Sequence, residues 1–202
     1  SVFLGSFAQA CSFDVLSHLG ITHVVNMASE TTDKFVPPHR DIGVTYWHAP
    51  SDVKDDESSP IGKYLGETNA FIADALAAGG RVLIHCANGI SRASTVAIAH
   101  LMKANSLPLS AAYRQVKNAR RQIGPNRGFF LALSKLEQEL GVGDSDWEDF
   151  YDLLPEVDVV RIPVQIDELP LFWSHDRSAA NRHVLESLGV RTVINCAAEV
   201  GD

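Results

Sequence analysis

The chain has 202 residues, 46% of them apolar and 21% charged, the composition of a folded globular protein rather than a disordered or collagen-like one. No apolar run reaches the length of a membrane-spanning helix, so no membrane partner is expected. The net charge of −8 is accounted for by residues 141–170, which hold nine acidic residues and one basic, so the remainder is balanced and presents no basic stripe for nucleic acid.

Residues 1–30 read as strand, short helix, strand. The first strand, 2–5, ends at Gly5; the helix, 14–19, stops at Gly20; and 21–27 is a second strand rich in β-branched residues, with Asn26 a structural polar group at its end. A third strand, 44–49, is closed by Pro50. Residues 51–60 form a polar, acidic loop, followed by a helix over 61–78 whose apolar face is Ile61, Leu65, Ile72, Ala75 and Leu76. The Gly79-Gly80 turn leads into Val82, Leu83 and Ile84, a short apolar run suited to a strand covered on both faces. Helices are predicted over 93–102, 110–121 and 130–140. Strands alternating with helices in this way specify an α/β fold, a central and mostly parallel sheet flanked by helices.

Residues 82–94 specify local structure and reactive chemistry together. Gly89, at the middle of the loop between strand and helix, lets the backbone turn sharply enough for successive amides to point inward. Unpaired amides and the helix dipole favour a phosphate-sized anion at such a helix start. The same field, with a nearby guanidinium, is expected to favour the thiolate of Cys86, the nucleophilic form. Arg92, six residues on, is placed to hold two phosphate oxygens with its planar fork. The implied reaction is phosphoryl transfer to sulfur. Three cysteines at scattered positions give no disulfide framework and indicate a reducing compartment, the cytoplasm by default with the nucleus as the other choice.

With His85 before the cysteine and Gly89 inside the loop, this string resembles the Cys-x5-Arg phosphatase signature. Over about residues 2–140 the chain resembles the dual-specificity protein phosphatases of the protein tyrosine phosphatase superfamily. Leu-Gly-Ser at 4–6, Leu-Gly-Ile-Thr-His-Val at 19–24 and Ile-Gly-Pro-Asn-Arg-Gly-Phe at 123–129 carry the same likeness. The resemblance implies a protein tyrosine phosphatase-like fold, Cys86 as nucleophile, and a phosphate cradle of Arg92 with the backbone of Ala87, Asn88, Gly89, Ile90 and Ser91. It implies that His85 supports the cysteine and that Asn126 holds the phosphate loop in shape. A general acid is expected in the 51–60 loop. Asp52, Asp55 and Asp56 compete: counting back from Cys86 favours Asp55, counting forward from Tyr46 leaves Asp52 as the alternative, and the bland reading of the other two is a solvated loop. Arg120 and Arg121 either widen the positive rim or lie on a solvated helix face.

No metal or cofactor is implied. Phosphoproteins carrying phosphotyrosine and phosphoserine or phosphothreonine are the implied substrates, because lipid-directed relatives tend to place lysines inside the loop and residues 87–91 contain none. Two positions depart from the family pattern: Asn88 stands where alanine is common, and Ala93 where a serine or threonine normally follows the arginine. Ser94 lies about 100° round the helix and is not expected to substitute. Ala93 therefore predicts slow hydrolysis of the phosphocysteine. It also keeps open a phospho-binding pseudophosphatase or scaffold, and a non-protein phosphoester substrate is the remaining alternative.

The chain then repeats itself. Shifted by 169 positions, residues 3–33 overlay 172–202 with eleven of thirty-one positions identical, among them Asn26 with Asn195 and Glu30 with Glu199. The expected organisation is a catalytic domain over 1–140, an acidic linker over 141–170 and the truncated start of a second phosphatase-like repeat over 171–202, making this the first repeat of a tandem protein. A strand-helix-strand piece that short cannot bury its own core, so it is expected to dock in cis or to pair between chains.

Overall fold

The computed structural model describes residues 1–28, 30, 43–143, 164–165, 172–173 and 190–194. The chain divides into a unit over 1–153 and a second over 154–202.

In the first unit, β1 (Val2–Ser6), β2 (His23–Asn26), β3 (Thr45–His48) and β4 (Val82–Cys86) form one sheet in the order β1-β4-β2-β3, with every pairing parallel. All five residues of β4 are buried, as the continuous apolar run predicts for a strand covered on both faces. Val24 and Leu83, neighbours in register, pack with Ala10, Leu16 and Ile21 on one face. Successive side chains alternate, so Val25 and Ile84 face the other side.

Two short helices follow β1. The four-residue α1 (Phe7–Ala10) is fixed by a capping box between Ser6 and Gln9, a signal too short for periodicity to reveal. Next comes α2 (Phe13–His18), capped by Ser12. The helix expected as one piece over 61–78 begins as a 3-10 turn at Ile61–Tyr64 and continues as α3 (Leu65–Ala77). The central helix, α4 (Arg92–Asn105), is buried at ten of its fourteen positions, and it touches β4, α3, α5 (Leu109–Ala119) and α6 (Arg127–Leu140). A helix buried on so many sides fixes its N-terminus rigidly.

Strand order is what positions the site. Placing β4 between β1 and β2 sets Cys86 beside Ser6 and His85 beside Asn26 at the carboxyl edge of the sheet. Open parallel sheets bind ligands at that edge.

In the second unit, β5 (Val164–Gln165) pairs antiparallel with β6 (Phe172–Trp173). Residues 190–194, which the repeat aligns with 21–25, carry no regular structure. Most of the acidic linker expected over 141–170, namely 144–163 and 166–170, and the helix expected in the second repeat lie outside the described residues. Among the described residues no helix is long and apolar enough to cross a membrane.

Candidate active site

The loop from Ala87 to Ser91 is shaped by what its carbonyls bind. Ala87 O accepts from Phe7 N at 3.0 Å and Ile90 O from Gly124 N at 2.9 Å. Asn88 O and Gly89 O accept from Arg120, at 3.1 Å from Nη2 and 3.0 Å from Nε. Ser91 O accepts from Ser94 Oγ at 2.7 Å and Thr95 Oγ1 at 2.9 Å. All five carbonyls are therefore drawn back into the protein. Because a trans peptide points its N–H opposite its C=O, tying the carbonyls outward turns the amides toward the concavity they surround.

The start of α4 completes this. Ser91 does not cap the helix with its side chain, so the first-turn amides are not claimed by a capping hydroxyl. Gly89 has φ +69°, and a Cβ there would overlap the backbone of Gly5, including its carbonyl carbon at 2.7 Å. Glycine is required both by that torsion and by the close approach of β1.

Cys86 sits at the base of the loop, 1% exposed. His85 behind it is fully buried, with Nδ1 donating to Cys86 O at 3.4 Å. Burial pushes its pKa down to about 4, with the charges of His48 and Arg92 adding to the effect. It is a neutral imidazole at physiological pH. As pH falls from 6.5 toward 4 the unfolded chain takes up a proton that native His85 refuses, so stability is lost across that window. The expected loss is roughly 3 kcal/mol. His48 and His100, both held below the ordinary value by burial, act in the same direction. Unfolding of the wild type and of His85→Gln between pH 4 and 7 measures this, with a shallower slope expected for the variant.

Arg92 is 4% exposed and reaches back across the sheet edge. Its Nη1 donates to Met27 O at 3.0 Å and to Glu30 Oε2 at 2.7 Å, and Nη2 donates to Glu30 Oε1 at 2.7 Å. Burial alone would depress the guanidinium, but Glu30, with Cys86 and Asp55 nearby, outweighs it and raises the pKa above the usual arginine value. The Arg92 hydrogen bonds in turn hold the Glu30 carboxyl below the usual range, against partial burial.

The three loop aspartates separate by contact. Asp52 accepts both oxygens' bonds from Tyr64 OH, at 3.0 and 2.9 Å. Asp56 is turned into a local bend by Ser58 N and Oγ, at 2.9 and 2.7 Å. Asp55 alone among them faces the cradle, with Oδ2 3.9 Å from Arg92 Nε and Oδ1 accepting from Asn126 Nδ2 at 3.3 Å. The loop is seated by buried Val53 and Ile61 and by Gly128, where a Cβ would overlap the Glu57 carbonyl.

Asn126 thus caps α6 through Phe129 N at 3.0 Å and steadies the acidic loop. Within the 123–129 segment, the hydrogen bond to the phosphate loop is made by Gly124 N, to Ile90 O at 2.9 Å. Asn26 bonds Ala28 N at 2.8 Å and His48 at 3.2 Å, the structural role expected of it. Ala93 is fully buried, and Ser94 directs its hydroxyl to the Ile90 and Ser91 carbonyls. Sequence reasoning missed Glu30 as a site residue and left Arg120 between rim and surface. Glu30 carried one faint signal, its identity with Glu199 in the repeat.

A buried cysteine, a loop of inward-turned amides and an arginine fork on one rigid strand-loop-helix unit agree with the comparison to known families. Residues 2–139 match the model for the dual specificity phosphatase catalytic domain. The chain belongs to that family. A dual specificity protein phosphatase 1 of Arabidopsis thaliana is 35% identical over 143 residues, 71% of this chain and 69% of that protein. A probable rhodanese domain-containing dual specificity phosphatase of Dictyostelium discoideum is 37% identical over 147 residues, 73% of this chain but 29% of its own length. The crystal structure of human DUSP28 overlays with a TM-score of 0.61 at 35% identity, covering 69% of this chain and 93% of that one. A human tyrosine phosphatase-like serine/threonine/tyrosine-interacting protein overlays at 0.63 with 29% identity, over 68% and 91%. The dual-specificity phosphatase family works through a phosphocysteine.

Proposed function

We propose that this domain is a protein phosphatase hydrolysing phosphotyrosine and phosphoserine or phosphothreonine through a phosphocysteine at Cys86. The observation that carries the reading is the ring of amides at residues 87–91, every carbonyl tied away from the nucleophile at its base. Cys86 Sγ attacks phosphorus while Arg92 and the amides stabilise the equatorial oxygens. Asp55 protonates the leaving oxygen as the P–O bond breaks. In the second step Asp55 takes a proton from water as its oxygen attacks phosphorus, and the S–P bond breaks to release phosphate and the thiolate. A reducing compartment, cytoplasm or nucleus, suits that thiol. Residues 3–33 and 172–202 are read as the openings of two repeats of a tandem protein, the second docking in cis or between chains.

Ala93 decides the rhythm of the reaction. With no hydroxyl to donate to the departing thiolate, the second step is slow and phosphoenzyme accumulates. A hydrogen bond to a charged group is worth about 1.5 kcal/mol or more, so Ala93→Ser is expected to raise steady-state kcat about tenfold while leaving kcat/KM unchanged. Rapid mixing with phosphotyrosyl and phosphothreonyl peptides tests both statements. A wild-type burst that disappears in Ala93→Ser supports them; no release of phosphate from either peptide leaves the second reading, a phospho-binding domain, which Ala93 favours.

A further inference from the structure

We infer that Glu30 is a positioning residue that aims the Arg92 fork at the bound phosphate, an inference that rests on reading residues 87–91 as an anion cradle. A guanidinium offers two bidentate edges, Nη1/Nη2 and Nε/Nη2. Glu30 fills the first with two bonds of 2.7 Å, and Met27 O takes a further Nη1 bond at 3.0 Å. The edge left over is Nε/Nη2. Nε is buried and has no protein hydrogen-bond partner, and it faces the Asp55 carboxylate at a distance, 3.9 Å, too long for a hydrogen bond. The two carboxylates beside this arginine therefore divide the work. Glu30 clamps the edge turned from the cradle, and Asp55 borders the edge that a phosphate's oxygens would take.

The clamp is anchored to the nucleophile's own strand. Met27 N donates to His85 O at 2.8 Å, and Asn26 Oδ1 accepts from Ala28 N at 2.8 Å, so Met27 and Ala28, which follow β2, are fixed beside the end of β4. Met27 and Ala28 are fully buried. With Nη1 held twice and Nη2 once, Arg92 has no freedom to swing, and the fork is oriented before an anion arrives.

Charge and aim predict opposite signs for the same substitution. Glu30→Gln removes a negative charge beside the cradle, and Coulomb attraction alone would then tighten an oxyanion. Loss of aim would loosen it. The measurements are tungstate affinity by calorimetry and kcat/KM on a small aryl phosphate, for Glu30→Gln in the wild-type and Arg92→Lys backgrounds. Expected in the wild-type background are about tenfold weaker tungstate binding and a fall in kcat/KM of about tenfold to a hundredfold. In Arg92→Lys, where a point charge has no fork to aim, the further change is expected to stay within about twofold. Tighter tungstate binding in Glu30→Gln, or equal losses in both backgrounds, would overturn the assignment. Tungstate binding needs no turnover, so an inactive wild type would count against the phosphatase reading alone, and an active wild type with an indifferent Glu30→Gln against Glu30 alone.

Discussion

Cys86→Ser is expected to abolish hydrolysis of a small aryl phosphate, with a loss in kcat on the order of 10^4- to 10^6-fold. The substitution exchanges sulfur for a slightly smaller oxygen in a position that is 1% exposed, so the fold and the loop around it are retained. What is lost is the nucleophile. Even a free thiol is partly thiolate near neutral pH and strongly nucleophilic, whereas a serine hydroxyl needs a base within hydrogen-bond reach. His85 is a poor candidate, because burial pushes its pKa down to about 4. The variant should therefore still bind tungstate, which isothermal calorimetry checks, while a steady-state assay reads background hydrolysis.

Asp55→Asn is expected to lower kcat/KM on a phosphothreonyl peptide by about 10²- to 10³-fold, and Asp52→Asn by less than about twofold. The contrast follows from their neighbours. Asp55 shares its oxygens with Asn126 at 3.3 Å and the Arg92 region at 3.9 Å, while Asp52 is committed to Tyr64. Leaving-group chemistry sharpens the test. An alkoxide must be protonated as it departs, whereas a nitrophenolate leaves almost unaided, so the Asp55→Asn effect should shrink markedly on nitrophenyl phosphate. Equal losses for Asp52→Asn and Asp55→Asn would return the assignment of the acid to the open choice that the sequence leaves.

The strand, loop and helix start were readable from sequence because their determinants are consecutive. A buried apolar strand, a glycine at the turn and a helix start lie within residues 82–94, and Gly89 shows the positive φ that its position required. The parallel sheet followed from strands alternating with helices. Asp55 was placed by spacing within a resemblance, but its bond to Asn126 spans 71 positions and depends on how Gly128 lets α6 approach the acidic loop. Glu30 was out of reach for the same kind of reason. Its partner lies 62 positions on, and only the insertion of β4 between β1 and β2 brings the end of β2 to the arginine. Arg120 looked like part of a helix extending to 121. The helix ends at Ala119, and the extended backbone of Arg120, φ −143° and ψ 97°, accompanies its contact with the Asn88 and Gly89 carbonyls. Local patterning carries the elements; the contacts between them come from topology.

The most direct test of the central claim is to acid-quench the wild type within its first turnover on an aryl phosphate and to locate the phosphoryl group by peptide mass spectrometry. A phosphoryl adduct is expected on the peptide containing Cys86, abundant because Ala93 slows its hydrolysis and absent from Cys86→Ser. Phosphate released at the wild-type rate with no adduct on that peptide, or an adduct on another residue, would contradict that claim.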